Sequence, residues 1–169
     1  MNHDALTPPV LNEATVQHLR ALSEALDGFT GTEDEKRGLV AGFNRLAGTE
    51  LSFADFQGVC EGAGHDSWVR TQLARPSVRR TAAIGRDELA ELVRRIRAGL
   101  GAAWEIEFWL ELLMANVPDP TVPDLGFHPA SRGYPDDLPP EEVAGIALRY
   151  QPVPLGAIMK RHAVTWQPE

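Results

Sequence analysis

Apolar residues recur at helical spacing along most of the chain, and this pattern predicts an all-α protein. In the first half, Gly28 and Gly48 directly follow apolar-periodic runs and predict where two helices end. Thr32 followed by Glu35 predicts a capping box at the start of the second of these helices, and Ser52 with Asp55 predicts a weaker cap for the next. The periodic runs of this half predict helices over residues 11–27, 32–47, 52–62 and 65–75.

The second half of the chain follows residues 76–84, which carry no periodic pattern and predict a boundary. Its helices are predicted over residues 85–101, 102–117 and 139–150, and the first has an apolar stripe of Leu89, Leu92, Val93 and Ile96. The last begins with prolines, which the first helical turn tolerates. The predicted organisation is a helical N-terminal region over residues 1–80, a domain over residues 84–155 and a tail over residues 156–169, with a short strand or an ordered extension after residue 150.

The helix predicted over residues 102–117 is apolar on two sides. One stripe consists of Ile106, Trp109, Leu110, Leu113 and Val117, and the other of Trp104, Phe108 and Leu112. A helix of this kind is normally buried on two sides. We therefore expect the N-terminal region to pack against the second stripe; the alternative is an apolar surface that binds a partner.

A stiff segment follows that helix. Residues 116–129, with the sequence NVPDPTVPDLGFHP, contain four prolines. Each proline fixes φ near about −65° and removes a backbone donor, whereas a flexible connector would use Gly and Ser. The stiffness predicts that the residues from Asp124 to His128 must be held in place.

The composition predicts a soluble acidic protein of the cytoplasm. The net charge of −8 disfavours binding to nucleic acid or to an anionic membrane and favours a basic partner. Cys60 is the single cysteine, which excludes an internal disulfide and fits a reducing compartment. No apolar run approaches the roughly 20 residues of a membrane span, and the first residues, MNHDALTPPV, do not have the pattern of a secretory signal.

Charge is distributed unevenly along the chain. Residues 69–97 contain eight arginines against three acidic residues, whereas residues 104–142 contain nine acidic residues against Arg132. These acidic residues surround the stiff segment, so we weigh a solvated surface against an acidic surface that binds a basic partner. They are Glu105, Glu107, Glu111, Asp119, Asp124, Asp136, Asp137, Glu141 and Glu142.

Residues 86–155 resemble the colicin and pyocin DNase immunity proteins, small acidic four-helix inhibitors of nuclease bacteriocins. The stretches that carry the resemblance are RDELAELVRRI, WEIEFWLELLMANVPDP, VPDLGFHP and LPPEEVAGIALRYQPVPL, in the order of the family's four helices. The most specific element is the pair Asp119-Pro120 followed by the run from Asp124 to Pro129, DLGFHP. The resemblance implies a four-helix bundle with a very short third helix. The first 80 residues resemble no family.

The resemblance also implies a function, which is to bind and inhibit a basic nuclease-type toxin without catalysis and without a cofactor. In that family an aspartate and an aromatic pair of the third helix form the common anchor, and the acidic second helix selects the toxin. The chain departs from the family at Gly126, which replaces an apolar residue and predicts a looser turn, and at His128, which replaces a tyrosine. The partner-binding residues implied by position are Glu107, Leu110, Glu111, Met114, Asp124, Phe127 and His128.

Other functions have weaker support in the sequence. Cys60, His65 and Asp66 can be arranged as nucleophile, base and orienting acid, although a lone cysteine on an apolar helical face is more often part of a core. The histidines show no metal-ligand spacing, and no glycine motif for phosphate is present. Two alternatives stay open: a helical regulatory module that contacts nucleic acid through the arginines from Arg70 to Arg97, and an immunity-like fold used for an unrelated contact. The oligomeric state is left open.

Overall fold

The computed structural model describes residues 3–59 and 64–151. Within these ranges the regular structure is helical, which confirms the predicted all-α fold. The helices are α1 (Glu13–Asp27), α2 (Glu33–Ala47), α3 (Gly64–Ala74), α4 (Arg86–Ala98), α5 (Ala103–Asn116), α6 (Val122–Phe127) and α7 (Pro140–Leu148), and short 3-10 helices include His3–Leu6, Phe53–Phe56 and Pro129–Arg132. The strand or extension predicted for the C-terminal tail lies outside the described residues.

Local side-chain chemistry sets the ends of the first helices. The Asn12 side chain accepts a hydrogen bond from the backbone N–H of Thr15 and caps α1. The predicted capping box of α2 is present, with the Glu35 carboxylate accepting from the N–H of Thr32 at 2.8 Å. Gly48 ends α2 at a φ of 67°, a left-handed conformation that glycine adopts without strain.

The helix predicted over residues 52–62 is much shorter in the structure. Ser52 and Asp55 form the predicted cap, but the element they begin is the 3-10 helix Phe53–Phe56. Gly58 follows with a φ of 75°, which no right-handed helix can accommodate, and residues 60–63 lie outside the described ranges. The cap was predicted correctly, and the helix length was wrong.

Helices α1 to α3 enclose a core of their own. Its fully buried residues come from all three helices and from the 3-10 helix that contains Phe56. Phe43, Phe56 and Trp68 form an aromatic cluster with ring centroids 4.9 to 5.5 Å apart, the separation at which such pairs attract. The buried members are Val16, Leu19, Leu26, Phe43, Ala47, Phe56 and Val69.

A second core lies among α4, α5, α6 and α7. The predicted stripe of α4 is buried in it, and α7 packs along α4. Pro140 occupies the first turn of α7 as predicted. With only six residues, α6 is the very short third member of a four-helix arrangement. This arrangement over residues 86–148 matches the architecture predicted for the second half.

The two halves are joined through α5. Helix α3 packs against α5, and Leu6, Ala74 and Val78 from the first half enter the second core. The indole N–H of Trp109 donates to the carbonyl of Leu6 at 2.8 Å. Both apolar stripes of α5 are used in this way: Phe108 and Leu112 are buried, and Trp104 is half-buried against the same core. The expectation that the N-terminal region packs against the bundle is confirmed.

Candidate functional site

A buried aspartate fixes the stiff segment around α6. One carboxylate oxygen of Asp119 accepts from the backbone N–H and the hydroxyl of Thr121, at 2.9 and 2.8 Å. The other accepts from Nη1 of Arg132 at 2.7 Å, and the Asp119 side chain is fully buried. Thr121 directly precedes α6 and Arg132 ends the 3-10 helix after it. A single carboxylate therefore ties together the chain on both sides of α6.

The charge of Asp119 is maintained by the same contacts. Burial alone would raise the pKa of the Asp119 carboxyl, but hydrogen bonds from Arg132 and Thr121 and the positive charge of Arg132 outweigh it. The pKa of Asp119 consequently lies below its ordinary value. The residue is ionised at neutral pH, which is the state that can accept all three hydrogen bonds.

Arg97 of α4 holds the other end of α6. Its Nε donates to the carbonyl of Gly126 at 2.7 Å, and its Nη1 donates to the carbonyl of Leu138 at 2.6 Å. One guanidinium thus brings the end of α6 beside the loop that contains Asp136 and Asp137. Gly126 is buried within α6 and its φ is not positive. The looser turn expected from Gly126 is therefore offset by a charged hydrogen bond to its own carbonyl.

The outer side of α6 carries the predicted anchor. Val122 and Leu125 are fully buried and attach α6 to the second core. Asp124, Phe127 and His128 are exposed, and 47% of the Phe127 surface is accessible to solvent. Asp124 and Phe127 are three positions apart on one helix, so they share a face. The three residues predicted as the anchor are therefore exposed on α6 or directly after it.

A narrow apolar cleft borders this anchor where α4, α5 and α6 meet. Leu110 of α5 is half-buried on one wall, and Phe127 of α6 borders the other. Met114, one turn further along α5, is 44% exposed. The lining residues are Val93, Ile96, Arg97, Leu110, Leu113, Val122, Pro123, Gly126 and Phe127. Leu110 and Phe127, both predicted as partner-binding residues, therefore lie on a common surface.

The two predicted glutamates of α5 have different surroundings. Glu107 is exposed and lies at a cleft between α3 and α5 that Trp68 also lines. Glu111 is half-buried and accepts from Nε of Arg75 at 2.9 Å, which links the two halves of the protein. Glu107 therefore presents a free carboxylate, and Glu111 presents one that is already paired.

The nine acidic residues of residues 104–142 divide in the same way. Four of the nine bond to other groups of the protein. Glu105 caps α5, Glu111 and Glu141 pair with arginines, and the buried Asp119 pairs with Arg132. The other five have no side-chain hydrogen bond or ion pair to any described residue. They are Glu107, Asp124, Asp136, Asp137 and Glu142, and all five are exposed. Their carboxylates therefore contribute unpaired negative charge to the surface of this half.

The arginines from Arg70 to Arg97 are mostly engaged inside the molecule. Six of the eight bond to other residues: Arg70 to Glu13 and Asp66, Arg75 to Glu111, Arg86 to the Glu141 carbonyl, Arg94 to Glu91 and Glu141, Arg95 to Glu91, and Arg97 to two carbonyls. Arg79 and Arg80 are the members whose side chains have no such partner among the described residues. Most of the arginines that form a basic cluster in the sequence are therefore bonded within the fold.

Of the three residues considered as a catalytic triad, the structure describes His65 and Asp66. His65 lies between Ser23, whose hydroxyl is 2.8 Å from Nδ1, and Asp27, whose carboxylate is 3.3 Å from Nε2. Asp66 instead accepts from Arg70, and Cys60 lies outside the described residues. Ser23 is fully buried, so no substrate reaches its hydroxyl. The arrangement joins α1 to α3, and no pattern in the sequence pointed to it.

Comparisons with known proteins return nothing for this chain: no family model, no curated protein and no solved structure matches it. Among the residues that the structure describes, no group of three or more His, Cys, Asp or Glu side chains is placed to hold a metal ion. None of the helices over these residues is both long enough and apolar enough to pass through a membrane. The resemblance to immunity proteins therefore rests on the sequence motifs.

Proposed function

We propose that this protein binds and inhibits a basic nuclease-type toxin, in the manner of a bacteriocin immunity protein. The observation that carries the proposal is the fixed position of α6. Asp119 ties the chain on both sides of this helix, Arg97 holds its end, and its outer face presents Asp124 and Phe127 to solvent. A surface that is rigid before binding loses little conformational entropy in the complex.

The charge of the surface fits such a partner. A nuclease domain must be cationic in order to hold the phosphates of its substrate. Uncompensated carboxylates attract it over long range, and a half-exposed aromatic ring supplies the kind of residue that dominates binding energy when it is desolvated. Inhibition would come from covering a site beside the catalytic centre and excluding nucleic acid by bulk and charge. This function requires no chemistry from the chain and no cofactor.

The alternative of nucleic-acid binding through the arginines from Arg70 to Arg97 is disfavoured by their contacts. Six of these eight side chains already bond to carboxylates or carbonyls of the protein, so few remain for phosphates. Passage over heparin at low salt separates the two functions. The inhibitor should flow through, whereas a nucleic-acid-binding protein should be retained and should elute steeply with salt.

The direct test is the toxin itself. If the reading frame beside this gene encodes a nuclease domain, that domain should form a one-to-one complex with the protein and lose its nuclease activity. A nuclease that stays fully active with a saturating excess of the protein would contradict the proposal.

Substitution of the anchor should weaken this complex strongly. Asp124→Ala and Phe127→Ala are each expected to reduce binding by about 2 kcal/mol or more, mainly through faster dissociation, as central interface residues do. Surface plasmon resonance or stopped-flow fluorescence measures both rate constants. Leu46→Ala is a matched control for Phe127, because Leu46 is also 47% exposed but lies on α2. Equal dissociation rates for the natural protein and both anchor variants would exclude this surface as the toxin-binding site.

Reversal of one charge on α5 should act on the association rate. Glu107→Lys is expected to slow association and to reduce its dependence on salt, because it removes attraction to a basic partner from the exposed side of α5. Glu50→Lys is the matched control, since Glu50 is an exposed acidic residue in the first half of the chain and the net charge changes equally. If the two variants associate with the toxin at the same rate, the change in rate comes from the net charge of the protein and not from the position of Glu107.

A further inference from the structure

We propose that the first half of the chain forms part of the toxin-binding surface, and that the cleft between α3 and α5 receives an arginine side chain of the toxin, between Trp68 and Glu107. The inference rests on the proposed function and deepens it, because it assigns a role to α3 and to the helices that support it. The binding surface would then extend from α6 across α5 to α3.

The outward ridge of α5, formed by Glu107, Leu110 and Met114, is bordered on both sides. Leu110 and Met114 lie three and seven residues after Glu107, so the three side chains share one face of the helix. On one side, Leu110 meets Phe127 of α6 at the narrow apolar cleft. On the other side, Glu107 meets Trp68 of α3 at the cleft between α3 and α5. The ridge therefore lies between the predicted anchor and the first half of the chain.

The size of a stable protein interface extends the contact onto α3. A standard interface buries about 800 Å² on each partner, which is a patch roughly 30 Å across. Packed helices lie about 10 Å apart, and α5 packs against both α3 and α6. A toxin centred on the ridge of α5 therefore covers both neighbouring helices.

The cleft between α3 and α5 has the charge and the room for a cation. Its volume is about 300 Å³, at the lower end of the range for sites that bind small ligands. Glu107 contributes a carboxylate that has no side-chain partner among the described residues, and Trp68 contributes an indole. Arg75 also lines the cleft, but its guanidinium is already bonded to Glu111 and Gln72. Two carboxylates thus face one guanidinium here, which leaves one negative charge without a partner.

An arginine matches both of the groups that the cleft offers. A planar guanidinium stacks on an indole and pairs with a carboxylate through two parallel N–H bonds. Trp68 is held in place by Phe43 and Phe56, whose ring centroids lie 5.5 and 5.2 Å from its own. Its side chain is only half-buried, so part of the ring is accessible. A basic toxin supplies such a cation, whereas a neutral side chain would leave Glu107 unpaired.

Two small probes test the cleft without any toxin. N-acetyl-L-argininamide and N-acetyl-L-citrullinamide have nearly the same shape, but only the first is charged. Each is titrated into the full-length protein while the indole N–H signals are followed by NMR. We expect a saturable shift of the Trp68 signal with the arginine probe and none with the citrulline probe. The signal of Trp109, whose indole N–H is bonded to Leu6, should not move. Identical responses of Trp68 to the two probes would overturn the inference.

A matched pair of variants places this response at Glu107. Glu107→Gln should abolish it, because the substitution removes the charge and keeps the shape of the side chain. Glu142→Gln should retain it, since Glu142 is an exposed acidic residue of α7 and the net charge changes equally. A response that survives in Glu107→Gln contradicts the assigned site.

The cognate toxin tests the contribution of the first half. Ser67 of α3 lines the cleft, so Ser67→Arg places a cation of the protein itself where we place that of the toxin. This variant is expected to weaken toxin binding by about tenfold or more. Gln17→Arg, at an exposed residue of α1, adds the same charge and should have little effect.

The outcomes separate this inference from the proposed function. If Asp124→Ala weakens the complex and a folded Ser67→Arg binds the toxin as tightly as Gln17→Arg does, the inference fails and the proposed function stands. If the neighbouring nuclease is neither bound nor inhibited, the proposed function fails, and with it the assignment of the arginine to a toxin.

Discussion

Residues 84–169 expressed alone are expected to aggregate or to bind apolar dyes, because the second core is incomplete without the first half. The fragment would lack Leu6 and Ala74, which are buried against α4 and α5 in the full chain, and Val78, which packs beside them. It would also lack the carbonyl of Leu6 that pairs with the Trp109 indole and the carbonyl of Arg79 that pairs with Asn116. Size-exclusion chromatography and fluorescence of anilinonaphthalene sulfonate measure the two effects. A monomeric fragment as stable as the full chain would contradict this.

A point substitution separates this packing effect from truncation. Leu6→Ala should lower the free energy of unfolding by about 3 kcal/mol, the usual loss for a leucine removed from a core. Leu6 is fully buried, whereas Val10, four residues later, is fully exposed. Val10→Ala is therefore the control, and its effect should stay within about 0.5 kcal/mol. Urea denaturation followed by circular dichroism measures both values, and equal effects would show that the start of the chain does not stabilise the second half.

The second large effect is expected at Asp119. Asp119→Ala should lower the free energy of unfolding by about 2–3 kcal/mol, because it leaves Arg132 without its carboxylate and Thr121 without its acceptor. We place the loss at the low end for a buried ion pair because 23% of the Arg132 side chain is exposed and can be hydrated. Chemical denaturation measures it. Asp136→Ala, at an exposed acidic residue of the loop before α7, should have little effect.

Acid should weaken the same contacts in the natural protein. Since the pKa of Asp119 is lower in the folded protein than in the unfolded chain, its contribution is fully present above the unfolded pKa of about 4 and is lost as the pH falls through the lower folded value. Glu13, Glu35, Asp55 and Glu91 also have lowered pKa values, so acid sensitivity has several sources. The difference in the free energy of unfolding between the natural protein and Asp119→Asn isolates the contribution of Asp119. It should shrink as the pH falls below about 4, and a difference independent of pH would contradict the assigned role.

If the proposed function is right, loss of Asp119 should also weaken binding to the toxin. Without it, α6 would have to be ordered on binding, so a variant that is still folded should bind the toxin more weakly although Asp119 is buried and cannot touch a partner. Asp119 is thus a positioning residue for Asp124 and Phe127. Restoring only the fold, by a stabilising condition such as an osmolyte, should not restore the affinity fully.

The sequence by itself determined the helices and the surface that faces outward. Apolar spacing, glycine ends and caps depend on interactions within a few residues, so the boundaries of α2 and α7 could be predicted closely from local pattern. The helix predicted over residues 85–101 ends earlier, at Ala98. The double stripe of α5 correctly indicated burial on two sides, by the first half and by the bundle. The exposure of Asp124, Phe127 and His128 followed from the stiff segment and from a resemblance in its motif.

The tertiary structure alone decided which charged groups are free. Glu107 and Glu111 look equivalent in the sequence, but Arg75 forms an ion pair with Glu111 only, and this pairing depends on how α3 packs against α5. The same holds for the arginines from Arg70 to Arg97, which are engaged by residues as far away in the chain as Glu13 and Glu141. Contacts between residues far apart in the chain leave no local signal in the sequence. The sequence therefore shows a basic cluster, whereas in the fold most of its arginines bond to other residues of the protein.

The surroundings of Asp119 and Gly126 likewise depend on the tertiary structure. In the sequence Asp119 was one of nine acidic residues, and Gly126 predicted a loose turn. In the structure Asp119 is buried and bonds to residues on both sides of α6, and Gly126 is buried with its carbonyl bonded to Arg97. Asp119 can fix α6 because its hydrogen-bond donors come from both sides of that helix, and Gly126 is held because Arg97 of α4 reaches its carbonyl. Both conditions depend on how separate segments pack, which residue order along the chain does not specify.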